Sequence, residues 1–366
     1  MKIGIVTHYN VHNHGALLQL YALKQILESY GHSAAAITFN KNYDFMEDGI
    51  SRKYNISIKS VGVYLKYLKK HGLGRTLFNA RKAVLLSEFR KSLLGEFYSR
   101  TKDLDAVFIG SDEVFSFESG ITPAFFGYGI PCARVYSYAG SFGPYTYEKL
   151  EEKRLCSYAN AAFSQMRKIS VRDDNSKRII HRVSGIDPVI VCDPVILYDF
   201  KQEISNPVKC PSQKYLLIYS YDNNMNESDE IAKIQNFAKE NGLITVSVGF
   251  YHKWCDKNVN ATPLDLFQLF RNAESVVTDT FHGSVLSLVT QSQFVVKIRG
   301  NGNKLNDLLD RYGLSDRVIA DFSDLKTLFA QSIEYDAVNR VIEEHRVIST
   351  LFIKECLQEE SILFCT

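Results

Sequence analysis

Hydrophobic residues in this chain fall into short β-branched runs that alternate with longer stretches at helical spacing. Residues 2–8 read as a strand, 9–15 as a polar loop, and 33–39 as a second strand. Between them Ala16, Leu20, Leu23, Leu27 and Tyr30 share one face of a helix that Gly31 ends. A strand–helix–strand opening predicts a parallel sheet whose ligands gather beyond the carboxyl ends of its strands. Further strands are expected at 105–110, 134–139, 168–172 and 188–192. A second series follows, with strands at 215–220, 243–248, 274–279 and 293–298. Helices are expected at 228–241, 263–272, from 283 to 290 and at 305–312, and 323–360 is helical almost throughout.

Two stretches break the alternation. Residues 40–100 are basic and aromatic, with amphipathic patterns at 61–70 and 77–94, and read as a helical insertion. Residues 199–214 are polar and broken, with Pro207 and Pro211 inside, which suits an interdomain linker. A chain of 366 residues is too long for one compact core. The expected fold is α/β: two doubly wound, Rossmann-like domains facing one another across a cleft. Their bounds are 1–200, carrying the insertion, and 201–366, carrying the C-terminal helices.

Composition narrows the function classes. A net charge of +2 gives no bulk attraction for nucleic acid, so any affinity for anions rests on local arginines and lysines. The seven cysteines are scattered, without a C-x-x-C pair, as in a reduced, cytosolic setting. The amino terminus reads as a first strand and not a signal peptide, and no apolar run approaches the ~20 residues of a membrane helix. A soluble cytoplasmic enzyme is the expectation, with peripheral contact at the inner face of the membrane left open. His8, His12 and His14 lack a carboxylate at ligand spacing, so no metal is expected. Gly72-Leu-Gly74 and Gly300-Asn-Gly302 lack the third glycine of a dinucleotide fingerprint.

Candidate chemistry lies at the strand ends: 8–15, Gly110-Ser111-Asp112, Ser141-Phe-Gly143, Arg172-Asp-Asp174 and 279–284. The last is the most informative. A buried strand runs into Asp279-Thr-Phe-His-Gly-Ser284 and on into a helix, which sets His282 among free amides at the positive end of the helix dipole. Bland readings stand beside each candidate. His282 caps a helix, Arg172 pairs with Asp173 or Asp174 on the surface, Asp112 makes a turn, and Asp193-Pro194 is a turn with a structural aspartate.

Six blocks in order resemble the polysaccharide pyruvyl transferases, a family similar in architecture to two-domain glycosyltransferases of the B type. They are Asn13-His-Gly-Ala-Leu-Leu-Gln-Leu-Tyr-Ala-Leu23, Gly110-Ser-Asp-Glu-Val-Phe115, Tyr138-Ala-Gly-Ser-Phe-Gly143, Ser170-Val-Arg-Asp-Asp174, Asp193-Pro-Val195 and Asp279-Thr-Phe-His-Gly283. Together they cover about 10–300. Glu113 stands where the family has glutamine and Phe115 where it has tryptophan.

The resemblance implies transfer of the pyruvyl group of phosphoenolpyruvate onto a sugar of a surface polysaccharide, capsule or exopolysaccharide, or onto its lipid-linked precursor, as a pyruvate ketal. Phosphoenolpyruvate would be the donor substrate, with no cofactor. His282 is then the candidate acid/base, and Asp112 the acceptor-side base or a ligand of a sugar hydroxyl. Arg172, Gly283, Ser284, Lys297, Arg299 and Lys304 are candidates for holding the donor's phosphate and carboxylate. Asn13, Gly15, Gln19 and Ser111 are candidates on the acceptor side. A B-type glycosyltransferase using a nucleotide sugar fits the same architecture, since fold does not fix function. A catalytically silent glycan-binding protein is the third reading.

Overall fold

The structure, a computed structural model, describes residues 1–39, 61–97, 100–118, 120–198, 200–204, 208–300 and 302–358. Two wholly parallel sheets organise it. The first is built from β1 (Lys2–Val6), β2 (Ser33–Thr38), β3 (Leu94–Phe97), β4 (Ala106–Ile109), β5 (Val135–Gly140), β6 (Lys168–Val171) and β7 (Val189–Ile190), in the order β3-β2-β1-β4-β5-β6-β7. The second contains β8 (Tyr215–Tyr219), β9 (Ile244–Val248), β10 (Lys257–Val259), β11 (Ser275–Thr278), β12 (Phe294–Lys297) and β13 (Val318–Ile319), in the order β10-β9-β8-β11-β12-β13. Both orders reverse once, beside β1 and beside β8. The crevice at such a reversal is where doubly wound sheets bind ligands.

Central strands such as β4 and β8 are buried at every position because helices cover both faces, so they read as continuous apolar runs. The helices that matter for the site are α1 (His14–Ser29), α2 (Val61–Lys91), α3 (Asp174–Ser184), α4 (Ser228–Glu240), α5 (Phe281–Thr290), α6 (Gly302–Arg311) and α7 (Tyr335–Gln358). Among the described residues no helix is long and apolar enough to cross a membrane.

Several boundaries differ from the sequence expectation. Of the insertion, residues 40–60 lie outside the described residues. α2 is broken at Gly72, where φ is 76°, and 94–97 is not helix but the edge strand β3, parallel to β2. β10 and β13 carry too few residues to show a period. The expected 323–360 helix is interrupted: a 3-10 turn at Phe322–Asp324 and a short helix at Leu325–Phe329 precede α7, and 359–360 lie outside the described residues. Within the expected linker, 199 and 205–207 lie outside as well. There Lys201–Ile204 is a helical turn whose Glu203 accepts hydrogen bonds from the Tyr21 (2.7 Å) and Tyr198 (3.0 Å) hydroxyls.

α7 returns to the first sheet. Its Phe352, Ile353 and Cys356 are buried in the core formed by β1–β7, while Val338 and Ile342 belong to the core of the second. Ser349 Oγ accepts from the Cys192 amide at 2.9 Å, and Arg346 Nε donates to the Ile196 carbonyl at 2.7 Å.

Candidate active site

The reversal points of the two sheets meet. The loop after β1 starts α1 with Asn13, whose Oδ1 accepts from the Gly15 amide at 2.9 Å as an N-cap. His14 crosses to the second unit, where its Nε2 donates to the Ala261 carbonyl at 3.0 Å. Gly15 packs flat against the imidazole of His282, and a Cβ there would sit inside the ring's van der Waals envelope. Glycine is therefore required by close approach and not by its φ angle.

At the ends of β4 and β6 stand Asp112 and Arg172. Arg172 is 3% exposed, and its guanidinium donates to Asp112 Oδ1 and Asp193 Oδ2, each at 3.3 Å. It lies over the Phe281 ring, 4.3 Å from the centroid. The surface pairing with Asp173 or Asp174 does not occur. Asp173 instead caps α3 by accepting from the Ser176 amide at 2.8 Å, and it receives the Ser141 hydroxyl at 2.6 Å. Asp193 is more than a turn residue. It caps the short helix Pro194–Leu197 through the Val195 amide (3.0 Å), receives Arg172, and receives the side-chain amide of Gln19. Gln19 is thus sealed inside at 1% exposure, holding Asp193.

Burial alone would raise the Asp112 carboxyl, but Arg172, His282, His8 and Lys304 outweigh it and hold the group well below the usual carboxylate range. Burial pushes the His282 imidazole below its ordinary value. Asp112 and Asp193 offset this in part, and Arg172 and Lys304 reinforce it. The resting histidine is accordingly neutral at pH 7. Lys304, on α6, pairs with Glu113 of the opposite sheet and lies 5.8 Å over the Phe281 ring. Arg311 of the same helix donates to the Arg172 carbonyl at 2.9 Å.

Among the described residues, four buried polar atoms in this cluster have no hydrogen-bond partner: Gln19 Oε1, Ser111 Oγ, Arg172 Nε and His282 Nε2. Unmet polar atoms are rare in a packed interior and cost free energy there, so their concentration at one point marks a place built for something else.

The remaining candidates are placed differently. The Gly283 amide donates to Thr280 Oγ1 at 2.9 Å and the Ser284 amide to the Thr280 carbonyl at 3.2 Å, so both are engaged within the start of α5. Helix α5 begins at Phe281, two residues earlier than expected, which puts His282 inside its first turn. Arg299 forms a neighbouring cluster, donating to Asp279 Oδ2 and to Glu230, each at 3.0 Å. Asp279 also receives Ser220 (2.9 Å) and Asn224 (2.7 Å). Lys297 turns away along its own sheet to the Ala320 carbonyl and is not brought to the cluster.

Three residues join the site that were not among the site candidates. Phe281 carries the guanidinium, and its signal was its place inside the 279–283 block. Glu113 anchors Lys304, and its signal was its departure from glutamine. Tyr221 follows β8, stacks edge-on to Phe250 with centroids 5.4 Å apart, and points its hydroxyl into the field of Asp112, Glu113, Asp279 and Arg172. Nothing in the sequence distinguishes it. Phe115, the other departure, is core: it packs on Phe126, Phe142 and Phe163 at 5.1 to 5.7 Å. Among the described residues no group of three or more His, Cys, Asp or Glu could hold a metal.

A family model described as polysaccharide pyruvyl transferase matches residues 13–297, well over half of the chain. No curated protein matches it in sequence. Among solved structures the chain is similar to the glycotransferase of kitacinnamycin (11% identity, 97% of this chain and 99% of that one, TM-score 0.50). It is equally similar to the glycosyltransferase SnogD from Streptomyces nogalater (11%, 97% and 99%, TM-score 0.50). At that identity the likeness concerns the fold, which is the two-domain B-type glycosyltransferase architecture.

Proposed function

The chain belongs to the polysaccharide pyruvyl transferase family, and from that membership we propose that it moves the pyruvyl group of phosphoenolpyruvate onto two hydroxyls of a glycan, as a ketal. The observation that supports this reading best is the convergence, from both sheets, of Arg172, Asp112, His282 and Lys304 around polar atoms with no protein partner. In this reading the donor's phosphate and carboxylate take the Arg172 Nε and draw Lys304 from Glu113. Phe281 keeps the guanidinium in plane for a two-point grip. Gly283 and Ser284 shape the start of α5, and Arg299 supports Asp279 from the side. Asn13, Gly15, Gln19 and Ser111 form the acceptor side, Gln19 acting through Asp193.

The chemistry follows from the neutral state of His282. One acceptor hydroxyl adds to the central carbon of the enolpyruvyl group while the methylene carbon gains a proton. The new bonds are C–O and C–H, and the C=C π bond is lost. His282 accepts the hydroxyl proton, and the negative charge of the bound donor favours the imidazolium that then supplies the methylene. Phosphate departs with the C–O bonding pair, and a second hydroxyl closes the ring as its proton passes to the released phosphate. Asp112, held ionised, stabilises the positive charge that develops at the central carbon. We place the reaction in capsule or exopolysaccharide assembly at the cytoplasmic side.

Purified protein incubated with phosphoenolpyruvate and candidate glycans should release phosphate and add the mass of one ketal-linked pyruvate. His282→Ala should remain folded and lose roughly two to four powers of ten in kcat. Because the resting imidazole is lowered, kcat/KM in the wild type should fall on its acid side at a pH below the ordinary ~6.5 of histidine. Turnover of a nucleotide sugar, with none of phosphoenolpyruvate on any glycan, would replace this reading with that of a glycosyltransferase.

A further inference from the structure

Past the cluster, on the side of β1, β8 and β9, α2 lies over the loops of the second sheet. Arg75 of α2 donates to Asp222 at 3.1 Å, Asn79 donates to the same carboxylate at 3.2 Å, and Asn260 donates to the Phe78 carbonyl at 3.0 Å. Thus α2 is anchored across both units. Its Lys82 points inward, 8% exposed, with Nζ 4.2 Å from the centroid of the Phe250 ring. Among the described residues this ammonium has no hydrogen bond and no carboxylate within ion-pair distance. The nearest acid acting on it, Asp222, is already bound by Arg75, Asn79 and the Tyr251 amide at 2.8 Å.

The surroundings of Lys82 adjoin the start of α1. Its charge is felt by His12 and His14, on the loop that leads to Gly15 and His282. Phe250 contacts Tyr221, which is 43% exposed and lies within the electrostatic field of Asp112 and Arg172. An ammonium buried without a counter-charge is unfavourable, and burial lowers Lys82 to about 8. An anion arriving there would gain a pre-placed partner.

We propose that Lys82, with the aromatic wall of Tyr221 and Phe250, is a binding site for a phosphate carried by the acceptor, the ammonium holding the phosphate and the rings flanking the sugar. The proposal rests on the reading that this crevice takes a glycan only for the identity of the molecule bearing the phosphate. Two sources share that chemistry, a soluble glycosyl phosphate and a lipid-borne one. The second is worth testing because α2 turns Leu73, Leu77 and Val84 outward at 57 to 68% exposure, and Glu88 is its single acid.

The test needs no donor and no turnover. In lysine-methylated protein followed by carbon NMR, with Lys82→Arg used to assign the signal, a hexose 1-phosphate should raise the Lys82 titration by about one pH unit or more. The free hexose should leave it in place. By calorimetry, Lys82→Met should weaken hexose 1-phosphate roughly ten- to a hundredfold, the scale of a hydrogen bond to a charged group, and Lys82→Arg should recover most of it. In the lipid arm, sedimentation with phosphatidylglycerol vesicles is compared between wild type and Lys82→Met. Lys82-dependent binding in either arm supports the site and identifies the source. A Lys82 titration unmoved by the phosphate, with unchanged affinity of Lys82→Met in both arms, overturns it. Should Lys82→Met misfold, the wild-type titration still decides. Failure of phosphoenolpyruvate to bind would count against the donor reading and leave this result standing.

Discussion

His14 is fully buried, and burial first, then the charge of Lys82, pushes its imidazole down to about 3 against a small upward pull from the Ala261 carbonyl. Its Nε2 must carry the proton, because a carbonyl can only accept. The folded protein therefore refuses a proton that the unfolded chain takes up at about 6.5. Unfolded chains bind more protons between those two values, so stability falls as pH drops from about 6.5 towards 3, by about 1.4 kcal/mol per pH unit for this one group. Urea midpoints measured across that range should show the slope, and His14→Gln, which keeps a donor for Ala261, should flatten it by one proton's worth. Equal slopes for both proteins would remove His14 from the account. The residue also shows what spacing hides. Three histidines in one loop invite a metal reading, whereas the fold sends them different ways: His14 goes into the second unit, and His8 packs at a tilt on Phe125 with centroids 4.5 Å apart.

At the scale of elements, the junction from β11 to α5 is where sequence and structure agree most closely. A buried strand running into a helix was legible, because each leaves a local signature within about fifteen residues; the cap was not, since the N-cap is Thr280 and not His282. What that junction touches was not legible. Gly15 meets His282, and Lys304 meets Glu113, 191 positions away. No local pattern encodes such a meeting. The edge strands β3, β10 and β13 were missed for a related reason, since two to four residues cannot display a period. The Gly15 contact can be tested directly. Gly15→Ala keeps a helical backbone but drives a methyl into the imidazole, so activity should fall at least about tenfold with the circular dichroism unchanged. Combined with His282→Ala, which vacates the space, the stability cost of Gly15→Ala should disappear, a coupling of more than about 1 kcal/mol in the double-mutant cycle. Additive costs would show that the two groups do not press on one another.

For the whole molecule, the two sheets are tied together at several points. His14 meets Ala261, Glu113 meets Lys304, and Arg172 meets Arg311 beside α3. Asp307 on α6 faces Asp174 and Asp173 of α3. Burial, with these carboxylates adding and Arg311 opposing, raises it to about 6. The debt of the first core to α7 was not legible in the sequence, because 335–358 reads only as part of one long helical stretch. A piece comprising residues 1–200 should therefore fail to fold alone. It lacks Phe352 and Ile353, whose burial contributes roughly 2 kcal/mol each, and leaves the pocket beneath them open. Adding a peptide of residues 331–358 should restore a cooperative melt, and a sharp transition without it would refute the dependence.

That debt also sets an order of events during synthesis. The strands of the first sheet leave the ribosome well before residues 335–358 exist, so the nascent lobe must wait, with an apolar trough unsealed, until much later sequence emerges. Maturation of the amino-terminal half is thereby tied to elongation past the carboxyl-terminal one. Chains stalled in between are the natural clients of holdase chaperones.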